Sequence, residues 1–325
     1  MKIDWKKYDC NLTTIYLSFN KITEMNWEGC PPGLTMIDLR HNQITKIDWV
    51  SCPPSLTNIN LGCNEITEMN WKGCPPGLTS ISLDDNQITK IDWIGCPPCL
   101  TNINLNFNDI TKMNWKFYPR GLTNIDLWGN QITEMNWEFC PPGLTGINLD
   151  SNQITEIDWS GCPSGLSRID LDGNQITEID WKGCPPGLTR IHLSRNNITE
   201  MNWKGCPPGL ILINLSYNQI TKMNWEGCPP GLTEISLYDN QITKIDWNGC
   251  RNNFITCIYP QNFYKDYFEY KKNDAFIPYL PIVCENKKEL HYELNNIWLR
   301  CPDGILFKED IQNLIEYGLF QDLNK

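Results

Sequence analysis

A chain of 325 residues with 41% apolar content has enough hydrophobic material for a sizeable core, which excludes wholesale disorder. Its 38 acidic residues outweigh 27 basic ones, for a net charge of −11, and no Lys/Arg run offers the clustered basic surface that nucleic acid requires. No stretch approaches the roughly eighteen apolar residues of a membrane helix, so neither a nucleic-acid nor a membrane partner is expected.

The opening, Met1-Lys2-Ile3-Asp4-Trp5-Lys6-Lys7, has no apolar core of the kind a secretory signal needs. An intracellular, cytoplasmic location is therefore expected, with the sixteen cysteines as free thiols in a reducing compartment. Asn-x-Ser/Thr sites at Asn11, Asn197 and Asn214 read as incidental to the repeat described next.

Tryptophan recurs every 22 residues from Trp5 through Trp27, Trp49 and onward to Trp247, and only Trp128 and Trp298 lie off this ladder. A fixed period of roughly 20 to 50 residues marks stacked supersecondary units. Eleven units begin at Leu12, Leu34, Leu56, Leu78, Leu100, Leu122, Leu144, Leu166, Leu188, Leu210 and Leu232, and are called coils 1 to 11 below. Their consensus is Leu-Thr-x-Ile-x-Leu-x-x-Asn-Gln-Ile-Thr-x-(Ile/Met)-(Asp/Asn)-Trp-x-Gly-Cys-Pro-Pro-Gly, cleanest in the copies that begin at Leu34, Leu188 and Leu232, and these 22 positions are called places 1 to 22. Leu, Ile, Leu, Asn and Ile fill places 1, 4, 6, 9 and 11 in every coil.

The spacing L-x-x-I-x-L-x-x-N-x-I resembles the signature of leucine-rich repeats over residues 1–259. The Pro-Pro-Gly-Leu-Thr junction is similar to the short repeats of bacterial effectors. It also resembles those of proteins encoded by amoeba-infecting, mimivirus-like giant DNA viruses, which would make host cytoplasm or a virion the setting. The resemblance implies an α/β repeat solenoid: an arc with a parallel β-sheet on its concave face and an extended or irregular convex side.

Places 4 and 6, flanked by polar residues, carry the alternation of a half-buried strand. Asn at place 9 is expected inside, bonding backbone groups of its own and the adjacent coil, because an unpaired buried polar group costs about 1–3 kcal/mol. The tryptophans are expected inward, since a line of exposed indoles would invite association. The glycine after Pro-Pro is expected to release the turn into the next strand. Met1 enters midway through a return segment, giving a half coil at the start. Phe254, Cys257 and Tyr259 read as places 1, 4 and 6 of a degenerate last strand. Residues 260–325, rich in Tyr and Phe, read as a small α-containing C-terminal cap with helices near 287–299 and 308–319.

Several patterns that could carry chemistry read as scaffold. Cysteine fills place 19 in most coils, but Tyr8 and Tyr118 stand there in two, and tyrosine cannot replace a thiolate ligand. Cys96-Pro-Pro-Cys99 has redox-motif spacing without the strand–helix setting. Asp170-Leu-Asp172-Gly-Asn174 begins like a calcium loop, yet Gln175 and Trp181 break it at the sixth and twelfth positions. Cys301-Pro302-Asp303 resembles the Cys-x-Asp nucleophile of repeat-bearing bacterial ubiquitin ligases, in a tail several times shorter than their catalytic domains. No catalytic residue, metal or cofactor is expected, and the chain reads as a non-enzyme.

Variation inside the array then marks the surface free to differ. Places 3, 5 and 7 face off the sheet and place 8 follows at its edge. There the middle coils carry Asp126, Trp128, Asn148, Asp150, Asp170 and Asp172, then Arg168, Arg190, His192 and Arg195, then Tyr217 and Tyr238. Acidic patch, basic patch and exposed aromatics make a plausible anchor set for a protein or peptide partner, bound by a monomer on its concave face. Two alternatives stand beside that reading. One is an adaptor whose tail recruits or performs a modification, and the other is a structural rod in a larger particle.

Overall fold

The computed structural model describes residues 2–242, together with the strand backbones Lys244–Ile245 and Ile255–Cys257. The array folds as a parallel β-sheet solenoid. Each coil contributes one three-residue strand at places 3 to 5, from Thr14–Tyr16 in coil 1 to Glu234–Ser236 in coil 11. Ile255–Cys257 adds a twelfth strand, and the strands lie in the sheet in strict chain order. Register is one coil per step: Ile15 pairs with Ile37, Ile37 with Ile59, and Ile191 with Ile213. A 22-residue period places identical side chains opposite one another, so each buried isoleucine packs on its own copy.

The last step breaks that rule. Ile235 pairs with Thr256 and Ser236 with Cys257, so the final coil is one residue short. Cys257 thus stands at place 5 rather than the place 4 its sequence suggests. The helices expected in residues 260–325, and the cap they would form, lie outside the described residues.

Inside the sheet runs a core of one composition throughout. Leu and Ile of places 1, 4, 6 and 11 are nearly sealed from solvent in coils 2 to 11, and places 14 and 16 close it from the return side. The tryptophans point inward. Trp27 is 1% exposed and stacks between Trp5 and Trp49, with ring centroids 6.3 Å away on either side. Its indole N–H donates to the carbonyl of Asp48 in the next coil at 2.7 Å, and Trp49, Trp71, Trp137, Trp159, Trp181 and Trp203 make the same bond. The return segments carry little regular secondary structure, and in coils 10 and 11 they pair as a second parallel sheet, Lys222–Met223 with Lys244–Ile245.

Asparagine at place 9 staples coil to coil as its invariance implies. The Asn130 amide donates to the carbonyls of Leu127 (2.9 Å) and, in the preceding coil, Leu105 (3.0 Å). Its oxygen accepts the Ile110 N–H at 3.0 Å. Threonine at place 2 adds a lesser staple: the Thr57 hydroxyl donates to the Thr35 carbonyl at 3.1 Å.

The glycines act differently from the expectation. Those after Pro-Pro keep ordinary φ, and Ser55 and Cys99 stand in for them. Their use is close approach in some coils, as at Gly187, where a Cβ would meet the Ser164 carbonyl oxygen at 2.8 Å. The left-handed turn belongs to place 18, where seven glycines hold φ between +77° and +86°. Ser51, Phe117 and Phe139 hold that place at φ +66°, +67° and +64°, a backbone conformation that costs a side-chain-bearing residue about 1–2 kcal/mol. Place 8 is left-handed in every coil, from Phe19 to Asp239.

Candidate protein-binding face

The outer face of the sheet is a lattice of places 3, 5 and 7, and the three rows differ. Side chains at place 3 stand mostly exposed, among them Arg168 and Arg190. Place 5 forms the floor, where Asp126, Asn148 and His192 are half-buried. Many Asn and Asp residues there serve the backbone: their carboxyl or amide oxygen accepts the N–H two residues on, as in Asn104 to Asn106 and Asn148 to Asp150 (2.9–3.0 Å). That bond closes the bend after the strand. Part of the place 5 composition is therefore scaffold, which variability alone conceals.

Across coils 4 to 8 the floor sinks into a hollow of about 390 Å³. Ser80, Ser82, Asn102, Asn104, Asn124, Gly146 and Asn148 line it with short neutral residues, Asp126 adds a carboxylate, and Arg168 and Asp170 close its coil 8 end. Apart from Asp126, Asn148, Arg168 and Asp170, these residues escape the sequence criterion. It sought charges and aromatics, whereas a hollow is made by small residues repeating at one place.

Of the residues singled out from sequence, three groups come together. Arg168 folds over Asp170, its Nε 3.0 Å from both carboxylate oxygens, and His192 Nε2 approaches Asp170 at 3.9 Å. Asp170 is consequently only 8% exposed, a correction to its expected place on the open surface. Its carboxylate is engaged by Arg168 instead of being turned to solvent as a cation ligand. Arg190, opposite Arg168 in register, stays exposed.

The second group is acidic. Asp150 accepts the Asp172 N–H at 2.8 Å, and Asp172 accepts the Ser194 N–H at 2.6 Å, each bridging to the next coil. Asn106 does the same for Trp128 (2.9 Å). Burial pushes the Asp150 carboxyl up to about 7 against the pull of the Asp172 N–H, with Asp172, Asp170 and Asp126 adding like charge. Asp172 is raised by burial too, although the Ser194 N–H, His192 and Arg195 oppose the shift. The acidic patch is thus a row of half-buried, bonded carboxyls rather than a field of free charge.

The third group is aromatic. Arg195 lies over the Tyr217 ring at 5.1 Å, and Tyr217 meets Tyr238 edge-on at 5.2 Å. Trp128, 40% exposed, leans on Phe107 with centroids 4.4 Å apart. Gly129 makes room for that ring, since a Cβ there would meet Phe107 at 2.7 Å.

On the opposite side the place 19 thiols pack against the core. Burial pushes Cys30, Cys96, Cys162 and Cys184 up to about 12, which favours the protonated thiol. Among the described residues no cluster of His, Cys, Asp and Glu is arranged to hold a metal ion, and no helix is long and apolar enough to cross a membrane.

Residues 10–66, 54–110 and 120–176 each match the Leucine rich repeat family. No curated protein matches the chain. Among solved structures, YopM from Yersinia enterocolitica WA-314 is 19% identical over 79% of this chain and 61% of its own, with a TM-score of 0.54. The functional domain of InlJ from Listeria monocytogenes, described as including a cysteine ladder, is 22% identical over 77% of this chain and 64% of its own (TM-score 0.51). A chain of the LRIM1/APL1C complex is 16% identical over 99% of this chain and 70% of its own (TM-score 0.61). This chain therefore spans less than two thirds of the YopM and InlJ chains. With the in-phase repeats, the consecutive parallel strands and the asparagine staples, these likenesses identify the fold as a leucine-rich-repeat solenoid.

Proposed function

We propose that the chain is a non-catalytic protein-binding module that takes its partner on the concave sheet face, over coils 4 to 11. The observation that carries this reading is the hollow of about 390 Å³ on that face, floored by Ser and Asn and closed by Arg168 and Asp170. A floor of short hydrogen-bonding side chains admits a partner segment close to the sheet, while rigid aromatic and guanidinium groups at the rim supply anchors. Trp128, Arg190, Arg195 and the Tyr217–Tyr238 pair are those anchors. Asp126, Asn148, Asp150, Asp170, Asp172 and His192 shape the floor and its charge. Arg168, neutralised by Asp170, orients rather than attracts.

Similarity to a chain of the LRIM1/APL1C complex supports a binding role for this architecture. The test is affinity capture with the full chain and two variants: Trp128→Ala/Arg190→Ala on the sheet face, and Lys182→Ala on the return side. A partner captured by the wild type and the Lys182 variant, and lost from the sheet-face variant, is the expected result. A partner retained by a correctly folded Trp128→Ala/Arg190→Ala chain would remove the sheet face as the binding site.

A further inference from the structure

On the return side of the solenoid, place 18 carries aromatic side chains in two adjacent coils. Place 18 reads Gly95, Phe117, Phe139, Gly161 across coils 4 to 7, and both phenylalanines are 61% exposed. Each sits in the left-handed conformation that glycine holds elsewhere at this place, at φ +67° and +64°. Two exposed rings in adjacent coils, held in a backbone state that disfavours them, form an apolar knob that the scaffold does not need.

The charges beside the knob change sign at its midpoint. Place 17 is Lys116 in coil 5 and Glu138 in coil 6, with the Lys116 ammonium 5.3 Å from the Phe117 ring. One place 13 pair repeats the pattern: Lys112 in coil 5 meets Glu134 in coil 6 at 3.0 Å. An isologous contact requires a surface complementary to itself under a two-fold rotation. Consider a two-fold axis lying in the contact plane, along the chain direction between coils 5 and 6. It sets coil 5 of one copy against coil 6 of the other and keeps each place opposite its own kind. Phe117 then faces the second copy's Phe139, and Lys116 faces its Glu138, twice over. Gly95 and Gly161 flank the rings with no side chain to obstruct them.

We infer that the occupant of this knob is a second copy of the chain, docked antiparallel through the return sides of coils 5 and 6. The sequence predicts a monomer, with a self-associating structural rod as an alternative. The sheet face, on the other side of each solenoid, stays free in the dimer. Two rings per copy are a small contact, which places the association in the weak class of interfaces. Because Lys116 and Glu138 are exposed, added salt weakens it further.

The test is sedimentation velocity of the full chain from about 1 to about 500 µM. Concentration-dependent dimerisation is expected for the wild type. Phe117→Gly/Phe139→Gly, which restores the repeat's own glycine and should unfold no earlier than the wild type, is expected to stay monomeric across that range. Lys116→Glu should weaken dimerisation by about tenfold or more, and Lys116→Glu/Glu138→Lys should restore it. A wild type that is monomeric throughout overturns the inference, as does a dimer that survives the double glycine variant. A charge-swapped variant no better than Lys116→Glu alone overturns the antiparallel pairing.

Discussion

Asparagine at place 9 shows how much one side chain does in this array. Asn130 holds two carbonyls and one N–H, all buried, and two of the three belong to the preceding coil. Asn130→Ala leaves those groups unpaired, so a loss of about 3 kcal/mol or more is expected in urea unfolding. Phe139→Gly should act in the other direction: it relieves a left-handed phenylalanine, and stability should rise by about 1 kcal/mol. Asp150 supplies a pH dependence. Its carboxyl is raised to about 7 in the folded chain and lies near 4 when unfolded, so the folded state binds the proton more tightly. Its contribution to stability is full below the unfolded value and is lost as pH rises toward 7. Asp150→Asn keeps an oxygen to accept the Asp172 N–H and removes the titration. The stabilisation it brings should grow between about pH 4 and pH 7 and then level off, read as the thermal midpoint against pH. Identity among copies reveals residues of the asparagine kind directly. It cannot separate the two repeated glycines, because only backbone φ distinguishes place 18 from place 22, nor expose the second task of asparagine at place 5.

The element is the coil, and its tryptophan allows a comparison within one molecule. Trp27 and Trp93 are both 1% exposed and both stacked between neighbouring indoles. Trp27 donates to the Asp48 carbonyl, whereas the buried Trp93 N–H has no hydrogen-bond partner. Trp→Phe at either site loses similar packing. Only at residue 27 does it also strip a bonded carbonyl, and at residue 93 it removes an unpaired donor. Trp27→Phe should therefore cost about 1 kcal/mol or more beyond Trp93→Phe, measured side by side in urea. Equal losses would mean that the indole bonds contribute little. The coil itself was legible from the chain: period two around each place 4 isoleucine predicts a strand, and period 22 predicts its parallel neighbour. The hollow was not legible. It arises where small residues repeat at places 3 and 5 over coils 4 to 7, and depth is a property of the stack.

At the scale of the whole array, contacts among the described residues run almost entirely between neighbouring coils, so its stability should be close to a sum of coil terms and nearest-neighbour terms. Deleting residues 56–99, two complete coils, keeps every place in register and joins coil 2 to coil 5. The shortened chain should still unfold cooperatively, with a smaller urea dependence in proportion to the surface removed. Deleting eleven residues instead would set place 9 against place 20, and a chain that folded equally well would refute the register argument.

The staples also fix how such a stack yields to a pull. Each place 9 amide reaches back to the coil before it, so a force applied to the ends would meet one row of bonds at a time. Detaching a terminal coil leaves the next one held as it was. Each rupture would release 22 residues, or about 75 Å of extended chain. Stretched between a surface and a tip, the solenoid should lengthen as a staircase of equal steps.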